Sequence, residues 1–235
     1  MADPAPSLPL NITDRPILAT AEVISLAEVA ARRAEKFGQL IDTLDAGIAA
    51  RATDASDSMA RAGFDPKDQR AAADKAAATA RREVATNSSD TRWAHLKELN
   101  AAADSLATTA QLWASPVSVL ARAGLGTPER TNYQQQLTGS GIVELKNAAL
   151  LAAATNNKVL GAALVAVIDR MPARSRPFSA HDLADRLVGE EVRGVQSAIA
   201  AVKTAAQRAI NRNREWEAGR SRPLDRLKLA IKDKD

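Results

Sequence analysis

Along residues 20–62 the apolar positions Val23, Ala27, Ala30, Ala34, Phe37, Ile41, Leu44 and Ile48 alternate by fours and threes, the spacing of one helix face. This narrow seam of mostly small residues predicts a long helix suited to a coiled coil or helical hairpin. Gly63-Phe64-Asp65-Pro66 then predicts a turn, with Asp65 as N-cap and Pro66 at the first helical position. The returning segment 66–86 is Ala-rich and charged, and Asn87-Ser88-Ser89-Asp90 interrupts it with residues that compete for backbone hydrogen bonds. Leu96, Leu99, Ala103, Leu106, Ala110 and Trp113 form a second seam. The two seams match in length, so residues 20–113 are expected to form an elongated antiparallel α-hairpin.

Ser115-Pro116 and Thr127-Pro128 are cap-then-proline helix starts, and Gly124, Gly126, Gly139 and Gly141 supply the stops. Residues 141–171 hold the longest apolar stretch and predict two helices packed at the centre, with Asn156-Asn157-Lys158 as the turn. In the first, Val143, Leu145, Ala148, Ala149 and Ala152 are expected on one buried side; in the second, Val159, Leu160, Ala163, Leu164, Val167 and Ile168 mark the buried face. Pro172 ends the pair, and residues 175–177 read as a basic linker. Ser179 caps a helix with Leu183, Ala184 and Leu187, and a separate helix over 190–217 carries Val192, Val195, Ile199, Val202 and Ala206 on one face. Arg220-Ser221-Arg222-Pro223 breaks the pattern before a short basic amphipathic end with Leu224, Leu227 and Ile231.

Composition sharpens this all-α reading. Hydrophobic residues are 46% of the 235 but aromatics only 3%. Alanine supplies the difference, and it costs no side-chain entropy in a helix while letting helices approach closely. Pro4, Pro6, Pro9 and Pro16 keep residues 1–19 out of a helix and predict an extended arm that orders on assembly against a partner. Three segments follow: the arm 1–19, the hairpin 20–113 and a compact helical domain 114–235 with a basic end.

Charge is unevenly placed, for residues 169–235 carry 15 Lys/Arg against 10 Asp/Glu whereas the preceding 168 carry 17 against 18. The absence of cysteine excludes disulfides, thiolate nucleophiles and thiolate metal sites, and fits a reducing compartment. His95 and His181 are the only histidines and stand far apart, so no metal site is expected. There is no phosphate-binding loop with Lys-Ser/Thr and no dinucleotide fingerprint, so no cofactor is expected. Ser140, between Gly139 and Gly141, reads as a helix N-cap rather than a nucleophile, and the adjacent Glu190-Glu191 point in different directions. No catalytic residue is assigned. Glu144, Lys146 and Lys158 interrupt the apolar run too often for a membrane span, and the N-terminus lacks the pattern of a signal peptide.

Two partner-binding readings remain. In the first, the chain is a non-enzymatic structural subunit whose seam residues Phe37, Ile41, Leu44 and Ile48, with Trp93, Trp113 and Trp216, contact copies of itself or neighbouring proteins. The segment GIVELKNAALLAAATNNKVLGAALVAVIDRMPARSRPFS over residues 141–179 resembles, in general character, helical minor structural proteins of tailed bacteriophages. That resemblance implies a head, connector or tail-associated subunit, assembled in the bacterial cytoplasm and resident in the virion; a cytoplasmic protein is the expectation otherwise. In the second reading, the helices over 158–171, 179–187 and 190 onward are similar to the core of winged-helix DNA-binding domains. This similarity implies base contacts by Arg193, Gln196 and Lys203 and phosphate contacts by Arg212, Arg214, Arg220 and Arg222. Two carboxylates open the implied recognition helix and the implied wing has helical spacing, so the assembly reading leads.

Overall fold

The computed structural model describes residues 18–219. Among them there is no strand, and the fold is all-α. The helices are α1 (Thr20–Arg61), α2 (Pro66–Asn87), α3 (Ser89–Ser105), α4 (Ala107–Leu112), α5 (Pro116–Leu120), α6 (Pro128–Leu137), α7 (Ile142–Ala154), α8 (Lys158–Asp169) and α9 (Ala180–Glu217), with a 3-10 turn at Ala173–Ser175. The N-terminal arm as far as residue 17, Arg220, Arg222 and the amphipathic end lie outside the described residues.

The described residues form two compact units, one of residues 18–19 and 105–189, the other of 20–104 and 190–219. This division differs from the expected one. The second seam does not run on to Trp113, because α3 stops at Ser105 and Leu106 is buried in the other unit. Residues 190–219 join the hairpin instead of the following domain, since their apolar face covers a seam that two helices alone leave open.

In the hairpin unit, α1 packs antiparallel on α2 and α3. The alignment is fixed by Arg33–Glu98 at 2.8 Å, the Phe37 and His95 rings at 6.0 Å, and Arg51–Glu83 at 2.6 Å. α9 runs parallel to α1, with Thr20 Oγ1 donating to Glu191 at 3.4 Å and Arg212 to Asp42 at 2.5 Å. The predicted α1 seam is the buried face: Val23, Ala30, Phe37, Ile41 and Ile48 are buried. Opposite them α9 buries Val192, Val195, Ile199, Val202, Ala206 and Trp216. Gly38 leaves room for the Arg212 guanidinium, which a Cβ there would approach to 3.3 Å.

Arg92 ties α3 to α9 within this unit. It is 3% exposed, donating to Asn213 Oδ1 at 2.6 Å, Glu217 Oε1 at 2.7 Å, Ser88 Oγ at 3.1 Å and the Ala85 carbonyl at 3.1 Å. Its guanidinium lies 4.6 Å from the Trp216 ring, and Arg81 flanks the same ring at 5.9 Å while donating to the Trp216 carbonyl at 2.8 Å. A buried guanidinium is tolerated when its donors and charge are matched, which four acceptors and an aromatic face achieve here.

The other unit is built around α8. Asn157 caps it by accepting from the Leu160 N–H at 2.9 Å, and Asn156 takes φ 49° to make the turn from α7. α8 packs against α5, α6 and α7. Gly161 allows the closest approach, since a Cβ there would meet Leu187 Cδ1 at 2.3 Å. Ser115 and Thr127 cap α5 and α6 as their cap-then-proline patterns predict. The Leu18 N–H donates to the buried Thr109 hydroxyl at 3.3 Å.

Two further expectations change. α9 is one continuous helix through Gly189-Glu190, where two helices were expected, because its apolar stripe continues from Leu187 and Val188 to Val192 and Val195 without a break. α7 packs on α8 along one side only. Leu145 and Ala152 are buried, but Val143 is 69% exposed; two residues from Leu145, it points roughly 160° away around the helix.

Candidate assembly surface

α7 begins at Gly141, whose N–H donates to Glu144 Oε2 at 2.8 Å. Ser140 is not the cap, as its hydroxyl instead donates to the Gln136 carbonyl at 3.2 Å. The helix reads IVELKNAALLAAA and is apolar all round apart from Glu144, Lys146 and Asn147. A helix of that kind belongs in an interior. Instead it turns one side to α8 and leaves Ile142 51%, Val143 69%, Leu150 69% and Leu151 56% exposed.

Beside this face lies an open apolar groove of about 350 Å³, lined by Lys146, Ala149, Leu150, Ala153, the half-buried Phe178 and the buried Leu183, with Asp182 and Arg186 at its rim. Ser179 fixes the groove's far wall by accepting from the N–H groups of His181 and Asp182 at 3.2 and 3.4 Å, which starts α9 there. The surface is therefore a helix face plus a hydrophobic slot, edged by charges of both signs.

The residues singled out from the sequence fall differently. Phe37, Ile41 and Ile48 are buried in their own unit and Leu44 is half-buried, so α9 and α3 already occupy the seam that was expected to face a partner. Trp216 is likewise interior, under Arg92 and Arg81. Trp113 is half-buried beyond α4. Trp93 alone of the tryptophans is exposed, at 51%, on a groove shared with Lys97, Asn100, Ile210 and Arg214.

Of the residues implied in nucleic-acid contact, Gln196, Lys203 and Arg214 are exposed along one line of α9, with Arg193 exposed roughly 60–80° away. Arg212 lies on the opposite side and is held by Asp42. The turn required before a recognition helix is absent, and residues 211–217, the described part of the wing that the winged-helix similarity implies over 211–231, are helical. Among the described residues, no cluster of three or more His, Asp or Glu is arranged to hold a metal ion, and no helix is long and apolar enough to cross a membrane.

The α7 surface is not among the sequence-based expectations, although its signal is present in the sequence. Leu150 and Leu151 follow an otherwise sufficient buried stripe of Leu145, Ala148, Ala149 and Ala152, so a second apolar face has to point elsewhere. No protein-family model, curated protein or solved structure matches this chain.

Proposed function

We propose that this chain is a non-enzymatic structural subunit of a multi-subunit particle, a bacteriophage virion component assembled in the bacterial cytoplasm, acting through helix packing. The observation that carries the reading is the exposed apolar side of α7, where four large aliphatic side chains on thirteen residues stand half or more in solvent. Val143 and Leu150 lie together on the side turned away from α8, with Ile142 and Leu151 on its flanks, and an exposed apolar surface of this kind is often functional. The phage attribution rests on the resemblance of residues 141–179 and on the Ala-rich helical build. In this reading the arm at the N-terminus and the basic end add contacts to neighbouring subunits.

Light-scattering chromatography of the purified chain tests the proposal, with and without duplex DNA at low and moderate salt. A discrete oligomer indifferent to DNA is the expected result. A chain that stays monomeric at all concentrations, or one that shifts onto DNA and releases as salt rises, would overturn it, the latter in favour of the winged-helix alternative.

A further inference from the structure

We infer that residues 223–231 fold back as a helix into the groove between α3 and α9 of the same chain, with Leu224, Leu227 and Ile231 against Trp93 and Ile210. That groove holds about 500 Å³ within the hairpin unit, lined by Trp93, Leu96, Lys97 and Asp104 of α3 and by Ile210 and Glu217 of α9. The point where the chain leaves α9 favours this occupant. Glu217, the last residue of α9, is itself a wall of the groove, and Gly219 follows at φ 74° with its N–H donating to the Trp216 carbonyl at 3.0 Å. A left-handed glycine closed onto the helix in this way stops it and turns the chain aside. Residues 220–223 then separate Gly219 from Leu224, a connection within the roughly two to eight residues that join neighbouring helices in bundles. Because α9 ends beside the start of α3, where Arg92 donates to Asn213 and Glu217, a segment turning back from Gly219 runs along α3 from Trp93 toward Asp104.

The segment fits in length, face and charge. A helix over 224–231 rises about 10 Å, and α3 rises about 16 Å between Trp93 and Asp104. Pro223 is tolerated in a first turn, and Leu224, Leu227 and Ile231 fall within roughly 60° of one another around a helix. Residues 220–235 carry six Lys/Arg against three Asp, and the groove has an exposed carboxylate at each end. Arg222 enters beside Glu217, and Lys232 leaves toward Asp104. By contrast, the alanine-lined groove between α1 and α9 reaches only to Arg212, short of the exit, and offers no large apolar side chain to cover. A segment tethered this closely acts at high effective concentration, so a few apolar contacts hold it. No second copy is needed, and this contact is independent of the assembly reading.

The chain contains no cysteine, so a single introduced thiol reports one position. Lys97→Cys places it in the groove, and Lys75→Cys places a matched exposed thiol on the groove between α1 and α2. A maleimide should label Lys97→Cys roughly tenfold more slowly than Lys75→Cys, because the covered thiol reacts only while the segment is displaced. Adding Leu224→Asp with Leu227→Asp should raise the Lys97→Cys rate to that of Lys75→Cys and leave the latter unchanged. The slow rate should be the same at low and high protein concentration, whether or not the chain assembles. Equal labelling at the two positions in the otherwise unaltered chain, or slow labelling at Lys97→Cys that the paired Asp substitutions do not relieve, would overturn the inference. Slow labelling that appears only as concentration rises would also overturn it, assigning the groove to a second copy.

Discussion

α7 and α8 are neighbours in sequence and nearly alike in apolar content, yet seven of the twelve residues of α8 are buried against two of the thirteen of α7. The difference lies in their surroundings. α8 has α5, α6 and α7 packed on it, with Gly161 admitting Leu187 at a distance no side chain would permit. α7 has α8 on one side and solvent on the other. Apolar composition thus says that a face needs covering, and only the packing says whether this chain supplies the cover. The α1 seam makes the same point from the opposite direction, since it reads as a coiled-coil face for a partner and proves to be covered by α3 and α9.

The largest effect is expected where cover is complete. Replacing Phe37 and Ile41 together by Asp puts two charges into a filled seam and should cost more than about 4 kcal/mol, unfolding the hairpin unit rather than merely dissociating an oligomer. Circular dichroism during urea titration distinguishes the two outcomes. Leu164→Ala on α8 should cost about 2–5 kcal/mol by the same measurement. Gly161→Ala should cost about 1–3 kcal/mol, because the added Cβ meets Leu187 and the core must shift. On α7, Leu150→Ser should change the stability of the single chain by less than about 0.5 kcal/mol while weakening self-association, read as a lower weight-average mass at fixed concentration. The smallest effect is expected for Arg212→Ala, whose exposed pair with Asp42 contributes about 0–1 kcal/mol.

Much of the helix layout is legible in the sequence. The turn at Gly63, the caps at Ser115 and Thr127, and the α1 seam follow from local chemistry, and local chemistry decides them. The continuity of α9 is not legible in the same way. Gly189 followed by Glu190-Glu191 looks like a stop and a fresh helix start, but a mid-helix glycine costs only about 1 kcal/mol and burial along an unbroken apolar stripe outweighs it. Arg92 is equally hidden. Its four-residue spacing from Ser88 suggests a local bond, but its acceptors on α9 are more than a hundred residues away. On α7, grouping Val143 with Leu145 puts it on the wrong side of the helix, and the exposed face follows only from the direction in which Leu145 points.

Amide hydrogen exchange of the intact chain, followed at low and high protein concentration, sets the two helices against each other in one experiment. α8 should be protected equally at both concentrations, and α7 should gain protection as concentration rises. Protection of α7 that does not change with concentration, whether high or low, would contradict the assembly role proposed for its exposed face.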